Sequence, residues 1–363
     1  MGGYHHGARA VDADRARRAG GVRTRVDPRT DGRGTRSRQG EGEESRPTVQ
    51  AHSAPEAGSS GTARGRGVAQ RDREELQCQQ QHNFEVGELI FSPEWRALGR
   101  EAALASEQIA SGITALGHAN HAQTGLYNQA FFGLSIGAER TAKLIIVAAH
   151  AIENSGSFPT NSVLRNIGHN VSDLFDRCDE IGKKYRQGEE YAVRPDSHIH
   201  RGIVKTLTEF GKRSRYYNLD FLVGDESTSL PDPIAAWWER VAVPILATHY
   251  TEKQKSRDME RAQMAGVLGG NVAVIYHRED GSPVDNIRDY MLLGGATRVV
   301  QTYGRLYTLQ LVRWISLILD DLSRIAAYEK RIEALLGLSE LFAMFNNEDK
   351  YLRDRKRWSV YRP

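Results

Sequence analysis

The chain is expected to fold as an all-α helical bundle of five to seven helices with a small hairpin or loop insertion, preceded by a disordered tail. Three observations predict this. Apolar residues recur at spacings of three and four through most of the chain beyond residue 92. Turn and cap residues mark several of their ends, as at Ser92-Pro93, Gly117 and Gly156–Thr160. Only one short β-branched stretch, Asn271–Tyr276, interrupts the pattern, and turn residues Asp280-Gly281-Ser282-Pro283 follow it. The resulting organisation is a tail over 1–80, a helical domain with a C-terminal helical extension over 85–348, and a basic aromatic tail over 349–363 that reads as solvated, with a nucleic-acid or acidic-partner contact as the alternative.

Ser92-Pro93 places an N-cap before a first-turn proline and opens a helix to about Leu116, where Gly117 ends it. A second helix runs from about Ala122 to Asn154. After the turn at Gly156–Thr160 a third is expected over Asn161–Gln187, with Leu164, Ile167, Val171, Leu174, Cys178 and Ile181 on one stripe. That stripe makes Cys178 a core position. A break at Gly168 would instead make Asn170 an N-cap with Asp173 in the capping-box position, leaving His169 just outside. Ile199, Ile203, Leu207 and Phe210 share a face of a fourth helix. The fifth, about Pro233 to Ala265, carries Trp237 and Trp238, with a kink at Pro244. A long helix over about Ala296–Tyr328 and a shorter one over Leu338–Phe345 complete the set.

Composition removes several function classes. Residues 1–75 hold 15 Arg, 11 Asp or Glu, 13 Gly and no Lys, too little apolar surface to offset the entropy of ordering. This bias is what GC-rich DNA yields in translation, so much of the segment is expected to lie upstream of the functional start. Residues 76–363 are left with 34 basic and 35 acidic side chains, so a nucleic-acid role must rest on a local patch. Two cysteines, Cys78 and Cys178, build no disulfide framework and no zinc knuckle. His118-x-x-His121 and His198-x-His200 have workable spacing for a metal but lack a third ligand nearby. No P-loop, dinucleotide fingerprint or nucleophile elbow occurs. No metal and no cofactor is therefore expected, no membrane contact, and a cytoplasmic location.

The chemistry concentrates in one region. Glu139, Arg140 and Lys143 interrupt an otherwise apolar helical run, and Glu139 and Lys143 lie four apart on one face. Charges in apolar surroundings need partners, since deleting one member of a buried pair costs about 3–5 kcal/mol. The order Phe131-Phe132-x-x-Ser135-Ile136-x-x-Glu139-Arg140-x-x-Lys143-Leu144, then Phe158-Pro159, then Gly168-His169-Asn170 and Leu174-Phe175, resembles the HEPN superfamily over Tyr127–Leu222. The resemblance implies a helical, commonly dimeric protein that binds or cleaves RNA, or senses a nucleotide, in stress response or defence. The ribonuclease members carry Arg followed after four to six residues by His. Here Arg165 and His169 are separated by three, and only Arg194 to His200 fits the count, with Pro195 directly after the arginine.

Strand cleavage needs a base at the 2′-hydroxyl and a cation at the phosphorane. His169, Arg165 and Arg140 are the candidates for those roles, with Glu139, Lys143, Arg215 and Tyr216 as ligand-binding groups. The structural alternative is that Glu139 and Lys143 form a salt bridge and His169 caps a helix. A non-catalytic scaffold acting through oligomerisation is the alternative function, with Trp237 and Trp238 as core or interface anchors.

Overall fold

The computed structural model describes residues 92–212, 217–223, 231–269 and 273–359. Within them the fold is all-α, with eleven α-helical segments and one two-stranded antiparallel sheet. The larger number arises because two of the expected helices are broken and two short helices, Tyr217–Leu222 and Asp349–Asp354, are added.

Helix α1 (Pro93–Leu116) opens as expected, with the Ser92 hydroxyl accepting from the Trp95 amide at 3.1 Å. It packs antiparallel against α2 (Gly125–Glu153) through small residues. A Cβ on Gly133 would lie 2.7 Å from the Gln108 carbonyl, so only glycine lets the two backbones come this close. The next expected helix divides into α3 (Asn161–Asn166) and α4 (Val171–Tyr185). Gly168 at φ +78° makes the break, and Asn170 caps α4 by accepting from the Ser172 amide at 3.1 Å and donating to Asp173 at 2.7 Å. Every residue of α3 is exposed, whereas Cys178 on α4 is fully buried.

Helix α5 (His198–Lys212) lies beside α4, and a short α6 (Tyr217–Leu222) follows. The expected fifth helix is two. Its first part runs through α7 (Pro233–Trp237), a π-helical turn at Trp238–Ala242 and α8 (Val243–His249). Proline at 244 has no amide to offer the Arg240 carbonyl, and that carbonyl lies where a Cβ on Gly202 of α5 would be, 2.6 Å away. The second part is α9 (Glu252–Gly269). It starts at a reciprocal cap in which Thr251 Oγ1 accepts from the Gln254 amide and Gln254 Oε1 from the Thr251 amide.

The hairpin falls where the sequence places it. Strands β1 (Ala273–His277) and β2 (Pro283–Asn286) pair with Tyr276 opposite Val284. Glu279 at its turn is buried and accepts from the Tyr127 hydroxyl at 3.3 Å, fastening the hairpin to α2. Burial raises the carboxyl of Glu279 above its ordinary range. Helix α10 (Ile287–Arg324) begins nine residues earlier than expected, capped by Asn286, and is the central element. Leu309, Trp314, Ile315, Ile318, Leu319 and Leu322 are all fully buried on it.

The C-terminal region departs from expectation. Leu338–Phe345 is 3₁₀ rather than α, and residues 349–359 are not a solvated tail. Leu352 on α11 (Asp349–Asp354) is fully buried, and Trp358 stacks on Phe345 at 5.6 Å. The Thr114 hydroxyl closes this strap onto α1, accepting from the Trp358 amide at 2.9 Å. No helix among the described residues is long and apolar enough to cross a membrane.

Candidate functional site

The break at Gly168 decides where His169 sits. A continuous helix would carry the imidazole around with α4, whereas the left-handed glycine turns it back onto α2. There Nδ1 lies 2.8 Å from Glu139 Oε1, and Lys143 Nζ lies 2.8 Å from the same oxygen. The ammonium and the imidazole Nδ1 are 3.4 Å apart. A carboxylate only accepts, so Nδ1 carries the proton and the Nε2 lone pair is left free in the neutral ring. The His169 side chain is 81% exposed, while those of Glu139 and Lys143 are 23% and 27% exposed. A half-buried ion pair thus holds an exposed imidazole in one tautomer and orientation.

Glu139 and His169 line a groove of about 600 Å³ between α2, the start of α4 and the end of α5, and Lys143 stands behind them as their ion-pair partner. Phe132, Ser135, Ile136, Asn170, Phe210 and Lys212 are also among its lining. Phe132 is 47% exposed, an uncommon position for a phenyl ring and one suited to stacking on a flat ligand. The groove meets a second trough of about 790 Å³ between α4 and α5, and Asn170 and Lys212 line both. A separate trough of about 720 Å³ beside Trp358 contains none of the sequence-predicted site residues.

Of the expected site residues, Glu139, Lys143 and His169 come together. Arg140 does not join them. It points off the stripe and donates to both carboxylate oxygens of Glu101 on α1 at 2.7 Å, because the residue after Glu139 is turned about 100° around the helix. Arg165 sits on the exposed α3, four residues before His169, and forms no ion pair among the described residues. Arg215 and Tyr216 lie outside the described residues.

The one pair that fits the ribonuclease count is engaged elsewhere. Arg194 pairs with Asp176 at 2.6 Å and lies over the rings of Phe175 and Trp314. His200 is buried, with Nδ1 accepting from the Ser197 amide at 3.2 Å and Nε2 2.9 Å from Gln310 Oε1. The Ser197 amide is only a donor, so the proton is on Nε2 and donates to Gln310. Burial pushes this imidazole below the ordinary histidine range.

Trp237 is fully buried against Phe131 at 5.4 Å, a core anchor. Phe210 and Lys212 were not singled out as site residues from sequence. The signal for Lys212 is its place on an Arg201, Lys205, Thr208, Lys212 stripe. Among the described residues no group of three or more His, Cys, Asp or Glu is placed to hold a metal ion. No family model, no curated protein and no solved structure matches this chain.

Proposed function

We propose that this chain is a HEPN-like RNA-binding protein that cleaves the strand at the groove of His169. The observation that supports this is the 2.8 Å contact between His169 Nδ1 and Glu139, which leaves Nε2 as an exposed, oriented proton acceptor. In the proposed step Nε2 takes the proton of a 2′-hydroxyl, the 2′-oxygen forms a bond to phosphorus, and the bond from phosphorus to the 5′-oxygen breaks. The products are a 2′,3′-cyclic phosphate and a 5′-hydroxyl, the latter protonated by solvent. Lys143, whose ammonium lies 3.4 Å from the imidazole Nδ1, supplies positive charge near the phosphorane. The exposed ring of Phe132 gives an unpaired base a stacking surface.

The setting proposed with it is a cytoplasmic stress or defence system, acting as a homodimer. The test is incubation of a 5′-labelled single-stranded RNA with the purified chain and with His169→Ala. Cyclic-phosphate ends that require His169 support the reading. Absence of both binding and cleavage by the wild-type chain discards it.

A second reading, a non-catalytic scaffold, is favoured by one observation. Met264, Val267 and Leu268 on α9 are 65%, 83% and 81% exposed and lie on one stripe. Sedimentation of the wild type and of Val267→Glu/Leu268→Glu, beside the cleavage assay, separates the two: self-association lost in the variant with no RNA cleavage by the wild type supports the scaffold, and cleavage by the wild type discards it.

A further inference from the structure

The trough that continues from the His169 groove has two banks of opposite charge. Helix α5 presents Arg201, Lys205, Thr208 and Lys212 at intervals of four, three and four, a single stripe along the trough. Helix α4 presents Asp173, Asp176, Asp179 and Lys183. Counted by residue the trough is balanced, but pairing removes most of that charge. Asp176 is held by Arg194 at 2.6 Å and Asp179 by Lys183 at 2.6 Å. Asp196 is held by Arg201 at 3.0 Å, and Glu209 by Arg240 at 2.5 Å.

What remains is uneven. Lys205 and Lys212 are exposed and form no ion pair among the described residues, while Asp173 alone stays without a cation and accepts from Asn170 at 2.7 Å. The residual field is therefore positive along α5 and leads to His169, because Lys212 lines both compartments. Seven residues of helix separate the two ammonium stems by about 10.5 Å. That is the axial length of about three stacked nucleotides at ~3.4 Å each.

We infer that Lys205 and Lys212 bind phosphates of a polynucleotide strand that runs along α5 and enters the His169 groove at Lys212. The inference rests on the RNA reading of that groove and adds the direction and extent of the bound strand. The Thr208 hydroxyl, midway along the stripe, accepts from the Ser172 amide at 3.2 Å and so braces the two banks.

The test is the salt dependence of binding, read by fluorescence anisotropy with a labelled twelve-nucleotide single-stranded RNA on the full chain. Each phosphate contact on a single strand contributes about 0.7 to the slope of log affinity against log salt. Lys205→Gln/Lys212→Gln is expected to flatten the slope by about 1.4. Between 50 and 200 mM salt the wild type then loses about sevenfold more affinity than the variant. Lys253→Gln/Arg257→Gln on α9 is the control for general charge and is expected to keep the wild-type slope. Both lysines of the test pair are exposed, so circular dichroism is expected to show an intact fold. A wild-type slope in the test pair overturns the inference while leaving the RNA reading in place, as does an equal loss in the control pair. A wild-type chain that binds no RNA removes both.

Discussion

Asp321→Ala tests whether the contact between α4 and α10 is as dry as its geometry says. Arg186 leaves the end of α4 and places its guanidinium against α10, where Nη1 donates to the Leu317 carbonyl at 2.8 Å and to Asp321 Oδ2. Nη2 donates to the Glu190 carbonyl at 2.8 Å, and Arg324 donates to the other Asp321 oxygen at 2.6 Å. The Arg186 and Asp321 side chains are 5% and 9% exposed, so solvent does little to screen the pair. Removing the carboxylate leaves a buried cation with two carbonyl acceptors and no counter-charge, which costs about 3–5 kcal/mol. A domain holds only about 5–15 kcal/mol in all, so the urea midpoint should fall by about a fifth or more.

The assay is equilibrium urea unfolding of the full chain by circular dichroism, with the slope of free energy against urea expected to hold. Arg186→Met/Asp321→Leu should recover most of the loss, because an apolar pair of similar volume has no charge to desolvate. A loss below about 1 kcal/mol for Asp321→Ala would refute the reasoning, since it would mean that water reaches the guanidinium.

Two further outcomes follow from particular groups. Burial lowers His200 and His249, so between the ordinary value of 6.5 and their lower folded values the unfolded chain binds more protons than the folded one. Stability must then fall as pH falls through that window; His200→Gln should flatten the fall, and an unchanged pH slope would contradict it. Gly168→Ala places a Cβ at φ +78° at a cost of about 1–2 kcal/mol. It should lower cleavage more than RNA affinity, because it displaces His169 and not the strand-binding face. Equal losses in both would count against a positioning role for the glycine.

The helical class was legible because the apolar periodicity of α1, α2, α4, α5 and α10 follows their core stripes, and Cys178 fell where its stripe put it. The hairpin was legible from its β-branched run and Asp-Gly turn. The break between α8 and α9 is hard to read although Thr251 and Gln254 carry a capping-box spacing, because no glycine or proline marks it. The early start of α10 was hidden by Gly294-Gly295, which reads as a breaker in isolation but is carried by the long helix around it. The C-terminal run looked solvated because charges dominate it. Its fate was set by two residues, Leu352 and Trp358, whose burial depends on partners far away in sequence.

At the site, the one-face relation of Glu139 and Lys143 follows from helix geometry, and so does the exclusion of Arg140. The approach of His169 does not follow from periodicity, since it depends on the backbone sign at Gly168. Whether a groove would lie beside these groups was equally hidden, because α5 contributes Phe210 and Lys212 from forty or more residues away.

The most direct measurement is the single-turnover cleavage rate of a bound, labelled single-stranded RNA by the wild-type chain, His169→Ala and Glu139→Gln. General-base removal is expected to lower the rate by about 10²–10⁴-fold in His169→Ala, with RNA affinity retained. Glu139→Gln should fall between that variant and the wild type, because it loosens the tautomer without removing the ring. Cleavage by His169→Ala at the wild-type rate would contradict the account.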